Sequence, residues 1–369
     1  MAADAVAGKG AGGLDRLVQA RRFAAQLLSG EPAASPAAVA ERLLAIQAQD
    51  PRGARLAVRS RTVGLTAADV DRALQDKSLV ITWLNRGTLH LVRSEDYWWL
   101  HELTAKPQFQ LGCYRVLARH GVSAHEADRG VAVVKRALEA DGPLTRVQLA
   151  ERLAAAGLPR DAGVALHVLF LASLRGIAVR GPMVGAQHAY AAAREWLGPA
   201  PRARDRDVAL AELARRYLAG HGPASDRDLA KWSGLPLGQV RRGLHAIAAE
   251  LRDRPDGLAE LAAAPPSEAS LPPPRLLGAF DDVLLGWESR EPLLGGHQGI
   301  VTVNGIFRAF ALVDGQAAGI WGYAGGQVKL DRFGPLPDDV EAALEAEARD
   351  VQRFLAGSPE AGQDRDETG

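Results

Sequence analysis

An alternation of helical and extended hydrophobic periods, met three times along the chain, most limits the folds open to it. In the first round Leu14, Leu17, Val18, Phe23, Leu27 and Leu28 recur at helical spacing. Ser35 is then placed to cap a second helix, with Pro36 at its first position and Val39, Leu43, Leu44 and Ile46 on one face. That helix is expected to end near Asp50, because Pro51 disfavours helical backbone in the residue before it. A third helix opens at Thr66, with Ala67, Val70 and Leu74 on its face. Two extended runs follow, Leu79 to Leu84 and Thr88 to Val92, separated by Asn85, Arg86 and Gly87, and these read as a β-hairpin. Helices closed by a hairpin make a winged helix-turn-helix pattern.

The order returns twice without an obvious sequence repeat. Val131 to Leu138, a helix capped by Thr145 and carrying Val147, Leu149 and Leu153, and Ala162 to Leu174 precede Ile177 to Val179, a turn around Gly181 to Gly185, and Gln187 to Ala191. Val208 to Leu218, a helix capped by Ser225 and running through Leu229 to Ser233, and Leu237 to Leu251 begin the third round. After the proline cluster at Pro265, Pro266 and Pro272 to Pro274 the signal changes to strands: Val301 to Val303, Phe307 to Val313, Ala317 to Tyr323 and Val328 to Leu330. Asn304-Gly305 and Asp314-Gly315 are strong two-residue hairpin turns, and Gly325-Gly326 separates the last pair. An amphipathic helix from Pro337 to Leu355 closes the chain. The predicted fold class is therefore mainly α with β-hairpins (α+β), built as three tandem winged helix-turn-helix units with a C-terminal β-rich segment and a final helix. The expected partition is 14–127, 128–204 and 205–356, between disordered ends at 1–13 and 357–369.

With 369 residues, 47% of them hydrophobic and 24% charged, the composition excludes fibrous, collagenous and wholly disordered classes. No apolar run approaches the ~18 residues of a membrane span, and no signal segment opens the chain, so a cytoplasmic protein without a membrane partner is expected. A single cysteine, Cys113, forms neither an intramolecular disulfide nor a multi-thiolate zinc site. The formal charge of zero hides an asymmetry. From Leu336 onward ten acidic residues face three arginines, so the remaining 335 residues carry 41 basic against 34 acidic side chains, a net of +7. A neutral sum therefore does not exclude nucleic acid.

The sequence holds no GxxxxGK[ST] phosphate loop, GxSxG elbow, HExxH helix or GxGxxG fingerprint. His101 with Glu102, and His120 with His125, lack metal-site spacing, so neither a metal nor a cofactor is expected. Asp281 and Asp282 are adjacent, and adjacent side chains on an extended segment point apart; a turn or strand-end role is favoured over acid/base work. Trp83, Trp98, Trp99 and Trp321 could stack on a base, but they lie in apolar runs and core packing is the favoured reading. The stretch that stands out is IQAQDPRGARLAVR, residues 46–59, with Gln47 and Gln49 two apart at a helix end and Arg52, Arg55 and Arg59 after them. Two carboxamides facing one site with guanidinium groups for phosphates is one reading; a helix cap with a solvated basic face is the other.

The blocks LLAIQAQDPRGARLAVRSRT, TWLNRGTLHLV, GHGPASDRDLAKWSGLP, LLGAFDDVLLGW and NGIFRAFALVDGQAAGIW resemble, in that order, the winged-helix AlkZ/YcaQ-like DNA glycosylases, from about Leu14 to Leu355. The resemblance implies three tandem winged helices around a concave DNA-binding surface, and a catalytic motif of glutamine, an apolar residue, then glutamine or aspartate. Gln47, Ala48 and Gln49 match the two-glutamine form. That form implies excision of N7-alkylated purines and unhooking of interstrand crosslinks, in repair or in self-resistance to a DNA-alkylating natural product. Gln49 departs from the aspartate branch. An N7-alkylpurine is already cationic, so its departure calls for oriented dipoles and a placed water more than for a base. Gln49 is assigned to water placement and Gln47 to the sugar cation or the water, a division that is reversible. The closest lysine in sequence is Lys77, which argues against a Schiff base and for a monofunctional enzyme that leaves an abasic site. Arg52, Arg55, Arg59, Arg86 and Arg180 are candidate phosphate contacts, and Gln187 and His188 a groove probe. The expected partner is double-stranded DNA, engaged by a monomer; the competing readings are a winged-helix transcriptional regulator and a non-catalytic lesion binder.

Overall fold

The computed structural model describes residues 16–185, 187–263, 270–302 and 304–356. The ends expected to be disordered, 1–13 and 357–369, and Val303 of the expected Val301–Val303 strand lie outside the described residues. Compactness divides the chain into two units: one joins residues up to Val70 with those from Leu210 onward, and the other is Asp71–Ala209. Among the described residues no helix is long and apolar enough to cross a membrane.

In the first unit, helix α1 covers residues 16–25 and α2 is Pro36–Leu43, capped by Ser35, whose hydroxyl accepts from the Ala38 N–H. The helix does not continue to Asp50. Leu44 takes a left-handed φ of 66°, which ends the α2 hydrogen-bond ladder, and the chain enters a two-residue strand, β1, Ile46–Gln47. Helix α3 then spans Pro51–Arg59. Asp50 is extended, as a residue before proline must be, and its carboxylate accepts from the Gly53 N–H. The dipeptide read as a helix stop is a helix start. Helix α4, Ala67–Gln75, opens after Thr66, whose N–H and hydroxyl both donate to Asp69.

The second unit is built on two hairpins. Strands β2, Leu79–Leu84, and β3, Thr88–Arg93, pair in full antiparallel register around a turn in which Asn85 and Gly87 both have positive φ. Helices α5, Ser94–Thr104, and α6, Pro107–Arg119, follow, and the sequence reading had missed both. Helix α7, Ala124–Asp141, and α8, Arg146–Ala155, each open on a capping box, with Ser123 and Glu126, and Thr145 and Gln148. Helix α9, Ala162–Leu174, is apolar almost all round and packs against α6 and α7. Strand β4, Ala178–Val184, does not turn at Gly181 as expected. It continues through a bulge between Arg180 and Met183 and pairs with β5, Gln187–Ala192. Ile81 lies opposite Arg180, so the strands run in the order β3-β2-β4-β5. Trp83 stacks on Phe170 and Tyr190, with ring centroids 5.0 and 6.5 Å away, as core packing predicts. A short helix, α10, Ala193–Leu197, completes the unit's elements.

The chain returns to the first unit in α11, Arg206–His221, α12, Asp226–Ser233, and α13, Leu237–Ala246. Helix α13 stops short of the predicted Leu251, and a 3-10 turn over Ala248–Glu250 follows. The third round closes with single bridges, Ala224 with Ala259 and Leu251 with Leu261, in place of a regular hairpin. Beyond the proline cluster an antiparallel sheet has the order β6-β7-β8-β9: Arg275–Leu277, Phe310–Val313, Gln316–Ala324 and Gln327–Arg332. Among the described residues Val301 makes an isolated bridge with Phe307 in place of the expected strand, and the strand expected from Phe307 begins at Phe310. Asp314 and Gly315 have φ of 49° and 78°, the paired left-handed values of a tight hairpin turn. Between β6 and β7 lies helix α14, Glu291–Leu294, and helix α15, Asp338–Leu355, packs on β6, β9 and α3.

Candidate active site

The glutamine pair sits on an extended link between two helices. Gln47 ends β1 and is 4% exposed, Ala48 is buried, and Gln49 is exposed. Leu44 and Ala45 make the bend that enters the link, with the Ala45 N–H donating to the Leu43 carbonyl at 2.8 Å. Asp50 and Pro51 fix the exit. Burial raises the Asp50 carboxyl above its ordinary range, opposed by the Gly53 N–H and the Arg52 charge. Two carboxamides are thereby held within three residues of chain, one inside the protein and one at its surface, immediately before a helix N-terminus. Neither titrates, so they offer dipoles, acceptors and donors and no proton.

The link is clamped from the C-terminal part of the same unit. A Cβ on Gly53 would stand 2.2 Å from the Ala279 carbonyl oxygen, and one on Gly278 would stand 2.8 Å from the Leu56 Cβ. Backbone therefore meets backbone where α3 lies on the 278–281 loop. At the far end of α3, Arg61 donates twice to Asp281, at 2.9 Å each, and once to the Gln26 carboxamide oxygen at 2.9 Å. Both partners of that ion pair are wholly buried. Asp281 also accepts from the Val283 N–H at 3.1 Å, so the adjacent carboxylates include one spent on structure, as the turn reading expected.

The candidate phosphate contacts separate on inspection. Arg52 is half-buried, donates to the Tyr323 carbonyl at 3.3 Å and lies over the Tyr323 ring at 5.6 Å. Arg55 is buried and donates to the Pro51 carbonyl at 3.0 Å. Arg59 is buried against α15, paired with Glu347 and 3.6 Å from Asp350. The solvated basic face expected as the alternative for this helix is therefore not present: α3 turns its arginines onto protein. In the second unit Arg86 sits at the β2–β3 turn, Arg180 on β4 over the Tyr190 ring at 5.6 Å, and Gln187 and His188 at the start of β5. Gln187 is exposed, His188 buried. The strand order β3-β2-β4-β5 brings these four into one sheet. Among the described residues no group of three or more potential metal ligands occurs.

Sequence reasoning missed Asp50, Gly53 and the Arg61–Asp281 pair as the supports of the glutamine link. The Asp-Pro dipeptide at 50–51 was the available signal, since a capping residue followed by proline at the first helical position is a helix start.

Comparison with known proteins bears on this arrangement. The family description "DNA glycosylase AlkZ-like" matches residues 40–354. A Streptomyces sahachiroi protein named interstrand DNA cross-link repair glycosylase is 29% identical, over 92% of this chain and 95% of its own length. The solved structure of Streptomyces sahachiroi DNA glycosylase AlkZ superposes with a TM-score of 0.72 at 27% identity, covering 92% of this chain and 96% of that one. The family match takes in the glutamine link, both hairpins and the C-terminal sheet, so the chain belongs to the AlkZ-like DNA glycosylases and is a hydrolase of N-glycosyl bonds.

Proposed function

We propose that the protein excises N7-alkylated purines from double-stranded DNA, bulky adducts and interstrand crosslinks included, and leaves an abasic site. The observation that carries this reading is the Gln47-Ala48-Gln49 link, extended between α2 and α3 with its second carboxamide exposed. The relative's name, an interstrand cross-link repair glycosylase, supports the crosslink substrate. Exposed Gln49 is the group that meets the sugar: its carbonyl orients water at the anomeric carbon as the cationic base departs. Buried Gln47 supplies negative partial charge towards the sugar cation or holds the water. Such fixed dipoles act on developing charge without reorganising, and removing one such group typically lowers kcat by ~10²–10³. With no lysine proposed at the site, the sugar is released by water and no Schiff base forms.

The helix–hairpin rounds are read as tandem winged helices presenting the DNA-binding surface, with Arg86, Arg180, Gln187 and His188 on one hairpin sheet and Arg52 beside the glutamine link. Arg55 and Arg59 contribute by holding α3. The enzyme acts as a monomer in the compartment of the chromosome, in repair or in self-resistance.

Base release from duplex DNA carrying N7-methylguanine, revealed by alkaline cleavage, tests the reading. Wild type is expected to release the base, Gln49→Ala to lose ~10²-fold or more in single-turnover rate while keeping DNA affinity, and borohydride to trap no adduct. Equal rates in wild type and Gln49→Ala would overturn the assignment. A borohydride-trapped complex would overturn the monofunctional mechanism.

A further inference from the structure

The segment joining α10 to α11 carries a set of cations that the glutamine link and the hairpins do not use. Residues 198–206 read GPAPRARDR, with Arg202, Arg204 and Arg206 at every second position and one acid, Asp205. That carboxylate is occupied, accepting from the Asp207 and Val208 N–H groups at 2.9 and 3.2 Å as the cap of α11. Residues 199–208 are exposed throughout.

The arginines are not a loose tail. The Arg204 guanidinium lies over the Trp99 ring of α5, 5.5 Å from its centroid. Trp99 is itself fixed, donating its indole N–H to Asp96 at 3.0 Å, while Asp96 also receives Arg93. The segment is thus held at Arg204 against the middle of α5. Arg202 and Arg204 make no ion pair with any described residue. Two exposed guanidinium groups without an ion-pair partner, one of them held on an aromatic ring, are available to an anion from outside the chain.

We infer that Arg202 and Arg204 form a docking surface for the phosphate backbone of duplex DNA, separate from the residues that act on the base. The inference rests on the DNA glycosylase reading of the same chain. Exposed guanidinium groups suit phosphates and carry no sequence preference, which is what an enzyme needs to hold undamaged flanking DNA.

The salt dependence of binding reads phosphate contacts directly. For Arg202→Ala/Arg204→Ala in the full chain, the slope of log Kobs against log salt on undamaged duplex is expected to fall in magnitude by roughly 1.8, about 0.9 for each lost contact. The rate of base release at saturating DNA is expected to stay that of wild type. Arg202→Lys/Arg204→Lys, which keeps the charge, should keep the slope. Both sites are solvent-exposed, and an unchanged thermal midpoint excludes misfolding. A wild-type slope in the alanine variant overturns the docking surface while leaving the glycosylase reading intact, provided wild type releases base. Failure of wild type to bind duplex overturns both. A slope lost on single-stranded RNA but kept on duplex DNA overturns the assignment of the partner.

Discussion

Arg61 and Asp281 are held inside the first unit without solvent, and each satisfies charges that nothing else there can meet. Asp281→Ala removes the carboxylate that pairs directly with the buried Arg61 guanidinium and leaves it carbonyl, carboxamide and hydroxyl acceptors, and is expected to cost about 3–5 kcal/mol, read as the shift of a urea midpoint. Asp282→Ala, which leaves the two Asp281 hydrogen bonds to Arg61 in place, is expected to cost less; equal losses would refute the pair as the anchor. The histidines set an acid limit. Burial lowers His221 from the ordinary 6.5 to about 3, with the nearby Arg61 and Arg22 charges acting in the same direction. His90 is likewise lowered to about 3 by burial and by Arg86. A depressed folded-state pKa means that both states are neutral above about pH 6.5, where the stability is complete. As pH falls from there towards 3 the unfolded chain alone takes up the proton, and each histidine removes up to about 1.36 kcal/mol per pH unit. Replacing His221 by Gln is expected to make the loss of stability from about pH 6 to about pH 4 shallower than in wild type, by denaturant titration at each pH. An unchanged slope would show that His221 does not carry it.

Helix α3 is where the site's geometry is decided among the elements. Its start is fixed by the Asp50 cap and its path by the bare face at Gly53. Asp50→Ala is expected to cost about 1 kcal/mol in stability, as for other N-caps, and to slow base release beyond that, because the cap also fixes the residue after Gln49. Asp50→Asn, which keeps an accepting oxygen, should recover most of both, and a charge-independent rescue of this kind separates positioning from electrostatics. Gly53→Ala drives a methyl into the Ala279 carbonyl and is expected to destabilise by about 1–3 kcal/mol, measured by thermal unfolding, with the hairpin sheet of the second unit unaffected. The element also shows why sequence periodicity misplaced the glutamines. Val39, Leu43, Leu44 and Ile46 are all buried and spaced as one helical face, yet Leu44 is left-handed and Ile46 is a strand residue. Burial of every apolar residue in a short link mimics a helix face, because periodicity reports which residues are inside and not the backbone that puts them there. The β2–β3 hairpin and the Asp314-Gly315 turn were legible for the opposite reason: their φ requirements are local and only a few residue types meet them.

Across the whole molecule, the acidic C-terminal helix is a structural member of the unit that holds the glutamines. Glu347 of α15 receives Arg59 from α3, Arg275 at 3.0 Å and the Leu276 N–H of β6 at 3.0 Å. The sequence shows this helix only as an acidic, amphipathic segment. Glu347→Ala is expected to cost about 1–3 kcal/mol by leaving the buried Arg59 guanidinium with only Asp350, 3.6 Å away, as a carboxylate partner, and Glu347→Gln less, by equilibrium denaturation; equal stability of Glu347→Ala and wild type would show that the contact is incidental. By itself the sequence determined the caps at Ser35, Thr145 and Ser225, the β2–β3 hairpin and the Asp314-Gly315 turn, the core placement of Trp83, Trp99 and Trp321 though not of half-buried Trp98, and the family-level motif of two glutamines, since each depends on neighbours a few residues away. Tertiary structure alone decided that Arg59 belongs to Glu347, that Arg61 belongs to Asp281, and that Gln47 is inside while Gln49 is out. Those outcomes hang on partners more than 200 residues distant in sequence and on the desolvation of charges by a packed interior, and no local pattern encodes either.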